Sequence, residues 1–274
     1  MKKFNLHVIF GLTLFIQSLL VQAKTQVFVS ILPQQFFVQY LADDFLEVKV
    51  LVKPWQSPET FDPSPRQMAM LSESKLYFTL GLGFEQRIIK RIIANNKQLQ
   101  VIATETGITK IANDPHIWLD PQLVQLQVKN IYMALLMYYP NFKEKLQHRY
   151  QQLQNQIKLL DNSLLSLFEQ AKSNNAKFVI FHPALNYFSR RYQLNQIAIE
   201  KNGKHSSAKY LAKLMSHLKS QSVKYILVEK QFSKKEAQTI ARVLNAQLLE
   251  FDPLAYSWFN NMQRISKQVQ LALF

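Results

Sequence analysis

The 274-residue chain contains no cysteine. That absence excludes disulfide frameworks, thiolate metal sites, cysteine nucleophiles and iron–sulfur clusters. Glycine is nearly as scarce, with five in all, and the lone G-x-G at Gly81 to Gly83 has no third glycine at the offset a dinucleotide fold needs. Gly203-Lys204 runs into His205, so a phosphate-cradling loop is not expected either. Acidic residues are outnumbered, 18 Asp and Glu against 33 Lys and Arg, for a net charge of +15. An anionic partner such as nucleic acid, phospholipid or cell-wall polymer therefore has to be weighed. The lysines are dispersed rather than interleaved with aromatics, which describes a solvated basic surface and argues against a nucleic-acid partner.

What is present is globular composition: 48% of residues are hydrophobic and 19% charged, enough for one or two domains with real cores. The first 23 residues stand apart. Lys2 and Lys3 precede the apolar stretch Val8 to Val21, and Val21-Gln22-Ala23 offers the small residues a signal peptidase reads. A secretory signal peptide cleaved after Ala23 is expected, and its loss leaves +13 on the mature protein. With no cysteine at the cleavage point, no bacterial lipid anchor is expected, and the periplasm is the simplest destination.

From Gln26 onward, short β-branched or aromatic runs alternate with helical periodicity. Val27 to Leu32, Glu47 to Val52, Lys75 to Leu80 and Leu99 to Ala103 read as strands, with helices at Gln35 to Leu41, Arg66 to Ser72 and Phe84 to Ala94 between them. A second alternation begins at Lys177, with strands at Phe178 to Phe181, Gln196 to Glu200, Tyr225 to Glu229 and Leu248 to Phe251. Helices are expected near Leu185 to Tyr192, Ser207 to Ser220, Ser233 to Asn245 and Ser257 to Leu273. The fold class is α/β: two lobes, each a parallel sheet flanked by helices. Between them, Phe142, Leu146, Tyr150, Leu153, Ile157, Leu160, Leu164 and Phe168 recur at steps of three and four without Pro or Gly. One rigid amphipathic helix of about 42 Å is expected to join the lobes. The division is thus 24–141 for the first lobe, 142–172 for the linking helix and 173–274 for the second lobe, in a monomer.

Five histidines follow the leader. His148 and His217 fall on polar helix faces and His205 in a polar stretch. His116 differs, standing in Asp114-Pro115-His116-Ile117-Trp118-Leu119-Asp120-Pro121, a loop stiffened by two X-Pro steps that leads into a helix. His182 follows the strand Phe178 to Phe181 and should emerge at the carboxyl edge of a parallel sheet, where α/β folds bind ligands. Two carboxylates occupy comparable places: Glu59 in the proline-pinned loop Pro54 to Pro65, and Asp252 in Phe251-Asp252-Pro253-Leu254. Each has an ordinary turn or cap role available to it. One cation held between the lobes by nitrogen and oxygen donors would account for all four.

These segments resemble the cluster A-I, or ZnuA/TroA-type, substrate-binding proteins of bacterial zinc and manganese ABC importers, over essentially the whole mature chain. Asp114 to Pro121 is similar to the family's D-P-H-x-W-L-D-P, Phe251 to Leu254 to its L-D-P-L, and Pro54 to Pro65 to its P-H-x-F/Y-x-P loop. Phe181-His182 with Tyr187-Phe188, and Glu229 to Ala241, resemble S-H-x-x-x-x-Y-F and E-x-Q-F-x-x-K-x-A-x-x-I-A. The resemblance implies metal ligands at Glu59, His116, His182 and Asp252, no catalytic residues, and a membrane permease of an ABC importer as partner. Glu59 departs from the family, which has His at that position. Pro183 replaces a common acidic residue, Glu200 to His205 lacks E-P-S, and Thr104 to Asn113 lacks the His-rich loop of some zinc members.

Two imidazoles and two carboxylates suit Zn2+, with Mn2+ or Fe2+ as alternatives, and contain nothing soft to select Cu(I). Asp120 or Glu229 would support the ligands from behind. The expected function is capture of a divalent cation, zinc first, for delivery to the permease, and not catalysis. A zinc-dependent hydrolase lacks H-E-x-x-H and G-x-S-x-G in this chain. Adhesion to an anionic surface through the +13 charge is the remaining alternative.

Overall fold

Eight short runs rich in Val, Ile, Leu and Phe form strands, and they divide into two sheets of identical design. The structure is a computed structural model that describes residues 24–200, 208–232 and 234–274. The expected signal peptide, His205 and the expected helix starts at Ser207 and Ser233 lie outside the described residues. The first sheet contains β1 (Thr25–Val29), β2 (Leu46–Val50), β3 (Leu76–Thr79) and β4 (Gln100–Ala103) in the order β2-β1-β3-β4. The second contains β5 (Lys177–Ile180), β6 (Asn195–Ala198), β7 (Tyr225–Glu229) and β8 (Gln247–Phe251) in the order β6-β5-β7-β8. Every pairing is parallel. Parallel neighbours require crossovers, supplied here by α1 (Leu32–Ala42), α2 (Pro65–Ser72), α3 (Gly83–Asn95), α6 (Asn186–Tyr192), α7 (Ala208–Ser220) and α8 (Lys234–Leu244). The strand and helix expectations are met to within three residues at each end.

Between the sheets run α4 (Pro121–Tyr138) and α5 (Lys143–Ser173), and α9 (Trp258–Ala272) follows the last strand. Pro121 pre-sets the first turn of α4, and the Asp120 carboxylate accepts from the backbone N–H groups of Gln122 and Leu123 at 2.9 and 3.4 Å. The 31 residues of α5 span about 46 Å. Its stripe of Leu146, Leu153, Ile157, Leu160, Leu164 and Phe168 is buried, as the periodicity requires. Asp161 joins that buried face, where Arg191 Nε at 3.0 Å and the Tyr192 hydroxyl at 3.0 Å donate to it.

A single apolar core passes from β1 through α4 and α5 to α9, so both lobes share it, and a second cluster fills the outer side of the second sheet. The start of α9 reaches the first lobe: Trp258 meets Phe37 edge-on at 5.3 Å between ring centres, and Phe259 meets Phe36 at 5.8 Å. The indole of Trp118 donates to the Pro253 carbonyl at 2.8 Å, and the indole of Trp258 donates to the Trp118 carbonyl at 2.8 Å. Both rings are buried. The carboxyl edges of the two sheets are thereby fixed face to face.

In a strand order of this kind, ligands favour the crevice where successive crossovers diverge, between β1 and β3 or between β5 and β7. In the first lobe that crevice is filled from within. Glu85, 1% exposed, accepts from Ser30 Oγ and from the backbone N–H groups of Leu80 and Leu82, while Ser30 Oγ also meets the Tyr77 hydroxyl at 2.8 Å. Burial pushes the Glu85 carboxyl from 4.5 up to about 7, against the pull of these donors. A carboxyl raised on folding favours the folded state while neutral. Its stabilisation is complete below about pH 4.5 and is lost as pH rises through about 7. Replacing Glu85 with Gln should therefore flatten the pH profile of stability by about 2–3 kcal/mol between pH 5 and pH 8, read from urea unfolding of both proteins. Parallel profiles for the two proteins would remove Glu85 from this role.

Candidate metal centre

The loop joining β2 to α2 is pinned at both ends. On the α2 side, Ser64 and Gln67 cap the helix reciprocally, Gln67 Nε2 reaches the Leu51 carbonyl at 2.7 Å, and Phe61 is buried against Phe84. On the other side, Trp55 adopts a positive φ of 71° and its ring lies 5.2 Å from the Lys230 ammonium of the second lobe. Glu59 is held between these anchors and reaches across to His182, with Oε1 3.1 Å from Nε2.

His182 follows β5 by two residues and is buried. Its Nδ1 lies 3.0 Å from Glu200 Oε2, just beyond β6, and its ring stacks on Phe232 at 4.7 Å. His116, also buried, has its Nδ1 2.7 Å from Asp114 Oδ1, the same oxygen that accepts the His116 backbone N–H at 2.9 Å. Asp114 is gripped in turn by the second lobe. Asn186 Nδ2 donates to its other oxygen at 2.8 Å, and the Tyr187 hydroxyl donates to its carbonyl at 2.9 Å. A carboxylate on Nδ1 fixes the ring and leaves Nε2 as the donor for a metal.

Glu59, His116 and His182 thus converge, each offering a donor atom, all within 4.8 Å of one another. They line a cleft of about 580 Å3 together with Asp114, Pro183 and Asn186. A separate small void of about 10 Å3 is walled by Glu229, Phe232 and Trp118 as well as the three donors. That is space on the scale of one water-sized occupant.

Asp252 does not join this convergence. Its Oδ1 accepts from Gln231 Nε2 at 2.7 Å and from the Leu254 N–H at 3.0 Å, which makes it the anchor of the turn after β8. Asp120, expected behind the ligands, is the N-cap of α4; the carboxylates that orient the imidazoles are Asp114 and Glu200. Asp114 carried a readable signal in the Asp-Pro-His spacing, which puts a carboxylate two residues before the ring. Glu200 carried none, because it adjoins His182 only through the β5–β6 pairing. The other expectation, Glu229, is buried beside the histidines. His148 and His217 are exposed on helices.

The zinc-uptake complex component A (periplasmic) family model, ZnuA, matches residues 27–271. The chain belongs to the ZnuA family. Its likeness to a zinc-bound ZnuA deletion mutant has a TM-score of 0.84 at 33% identity, over 91% of this chain and 98% of that one. A putative metal-binding protein of Chlamydia trachomatis is 28% identical over 90% of this chain and 91% of its own length. The high-affinity zinc uptake system protein ZnuA of Bacillus subtilis is 24% identical over 90% and 81%. The two-lobed ZnuA/TroA architecture implied by the motifs is therefore the architecture of this chain. Among the described residues no helix is long and apolar enough to cross a membrane.

The charges around His182 favour its protonated form. Burial works against a charged imidazole, but the hydrogen bonds it donates to Glu200 and Glu59, with the nearby Glu229 charge, outweigh it and lift His182 from 6.5 to about 10. Glu59 moves the opposite way, held below its usual range chiefly by its hydrogen bond to His182. The raised His182 stabilises the metal-free fold below about pH 6.5, a contribution lost as pH rises through about 10, whereas the contribution of the lowered Glu59 is lost as pH falls and its carboxylate takes up a proton. In nitrogen-detected NMR of metal-free protein at pH 7.5, His182 should carry protons on both ring nitrogens. A neutral ring at that pH would contradict the geometry.

Proposed function

We propose that this ZnuA-family chain captures one divalent transition-metal ion between its lobes and delivers it to the permease of an ABC importer. The observation that carries the reading is the meeting of Glu59, His116 and His182, drawn from both lobes, with donor atoms within 4.8 Å and each imidazole oriented by its own carboxylate. Zinc is the first cargo. An imidazole-rich set of hard and borderline donors favours it over manganese by intrinsic affinity, with Mn2+ or Fe2+ the alternatives. The zinc-bound relative and the zinc-uptake description of the family support the same choice. The family is one of uptake components, so a hydrolase reading falls away.

The working form is a monomer in the periplasm, released by cleavage of its leader after Ala23. Capture requires Glu59 to leave His182 Nε2 and the imidazole to give up its proton, so affinity falls as pH drops. The shared core and the paired tryptophan bonds hold the lobes together, and exchange of cargo is carried by the loop bearing Glu59 rather than by a wide hinge.

Isothermal titration of chelator-stripped protein should show one zinc per chain, bound more tightly than manganese. His116→Ala should weaken zinc by at least about 100-fold. Absence of binding to either ion by folded protein would sink this reading.

A further inference from the structure

More than half of the chain's net charge comes from one short stretch. Residues 201–235 hold nine lysines and a single acid, the buried Glu229, for a net of +8 within the total of +15. Along the sequence most of these lysines stand three to six residues apart, and α7 is the element that gathers them. That helix contains no acidic residue. Its Leu211, Leu214, Met215 and Leu218 turn inward onto the outer core of the second lobe. At about 100° per residue, Lys209, Lys213 and Lys219 then fall on the outward half of the helix. All three are exposed, as is Lys224 just before β7.

The charges of this face are unanswered. Elsewhere lysines meet carboxylates: Lys145 lies 2.9 and 3.0 Å from Asp43 and Asp44, and Lys234 lies 2.6 Å from Glu250. Among the described residues, Lys209, Lys213, Lys219 and Lys224 have no ion-pair partner. Lys209 and Lys213 are one turn apart, a like-charge spacing that weakens a helix. A partner of opposite charge relieves that repulsion. Tyr210, 40% exposed, adds an amphipathic ring at the edge of the same face, the kind of side chain that settles at a headgroup boundary. Because α7 joins β6 to β7 and both run parallel to β5, it starts from the carboxyl edge of the second sheet. That edge carries His182, so the basic face begins on the same side of the lobe as the cleft.

We propose that the outward face of α7 docks on anionic phospholipid and holds the chain against the membrane that contains its permease. Cations along a convex helix suit an extended layer of phosphate headgroups, where each ammonium meets its own counter-charge and the tyrosine ring meets the boundary below. Phospholipid is preferred to nucleic acid because a carrier that delivers ions to a permease from the periplasm works beside a membrane. That choice of partner rests on the delivery reading above, while the basic face stands without it. Docking through α7 confines the search for the permease to a surface and keeps the cleft near it.

The test is co-sedimentation of the mature chain, starting at Lys24, with vesicles of phosphatidylcholine alone or with one third phosphatidylglycerol. The wild-type chain should bind the anionic vesicles only, and release them as salt rises from about 0.05 M to about 0.5 M. The combined variant Lys209→Gln, Lys213→Gln, Lys219→Gln should lose roughly 100-fold in vesicle affinity, about fivefold for each lysine. A control removes the same charge from exposed positions of α5, with Lys143→Gln, Lys158→Gln and Lys172→Gln, and should stay within about threefold. Should the α7 variant fail to fold by circular dichroism, Lys213→Gln alone replaces it, with about a fivefold loss expected. No binding of the wild-type chain to anionic vesicles would overturn the proposal. So would an equal loss in the α5 control, or tighter binding to duplex DNA than to the vesicles. The α7 variant should bind zinc as the wild-type chain does, and a wild-type chain that binds no metal counts against the capture reading, a distinct result.

Discussion

The hydrogen bond from the Trp118 indole to the Pro253 carbonyl, answered by the bond from Trp258 to the Trp118 carbonyl, is the contact on which the rest depends. It joins the loop that carries His116 both to the turn after β8 and to the start of α9. Each indole N–H is buried and satisfied by a carbonyl of the opposing segment, so separation of the lobes would leave two donors and two acceptors unpaired in a dry interior. That penalty, added to the shared apolar core, fixes the spacing across the cleft. Glu59 and His116 on one lobe and His182 on the other can stay within 4.8 Å of one another only if that spacing does not drift.

The two sheets have one topology and put it to different use. In the second lobe the point where crossovers diverge faces the cleft and carries His182 and Glu229. In the first lobe the matching point is closed by Ser30, Tyr77 and Glu85, whose hydrogen bonds face inward. The first lobe therefore contributes to the cleft only through loops, the one after β2 with Glu59 and the one after β4 with His116. A rigid histidine on a strand edge opposes a carboxylate on a loop with its own aromatic anchor, Trp55 on Lys230. Repetition of a fold does not repeat its site.

Much of this was legible in the sequence because it obeys local rules. The strands announce themselves by β-branched runs and α5 by its steps of three and four. His116 and His182 could be singled out by proline spacing and by position after a strand. What stayed hidden depends on partners far apart in the chain. Glu200 reaches His182 only because β5 and β6 pair, and Asp114 is steadied by Asn186 only because the lobes meet. Glu229 ends β7, and its place on the same void as His182 depends on the strand register, which one-dimensional periodicity cannot supply.

The packing of α9 on the first lobe bears on the order in which the chain can fold. Phe36 and Phe37 lie in the middle of α1, yet their aromatic neighbours Tyr256, Trp258 and Phe259 come near the end of the chain. The first lobe's core stays incomplete until that last helix is in place. A nascent chain thus has no finished amino-terminal domain to lock prematurely, and contacts of such long sequence separation make collapse to the native state late and cooperative.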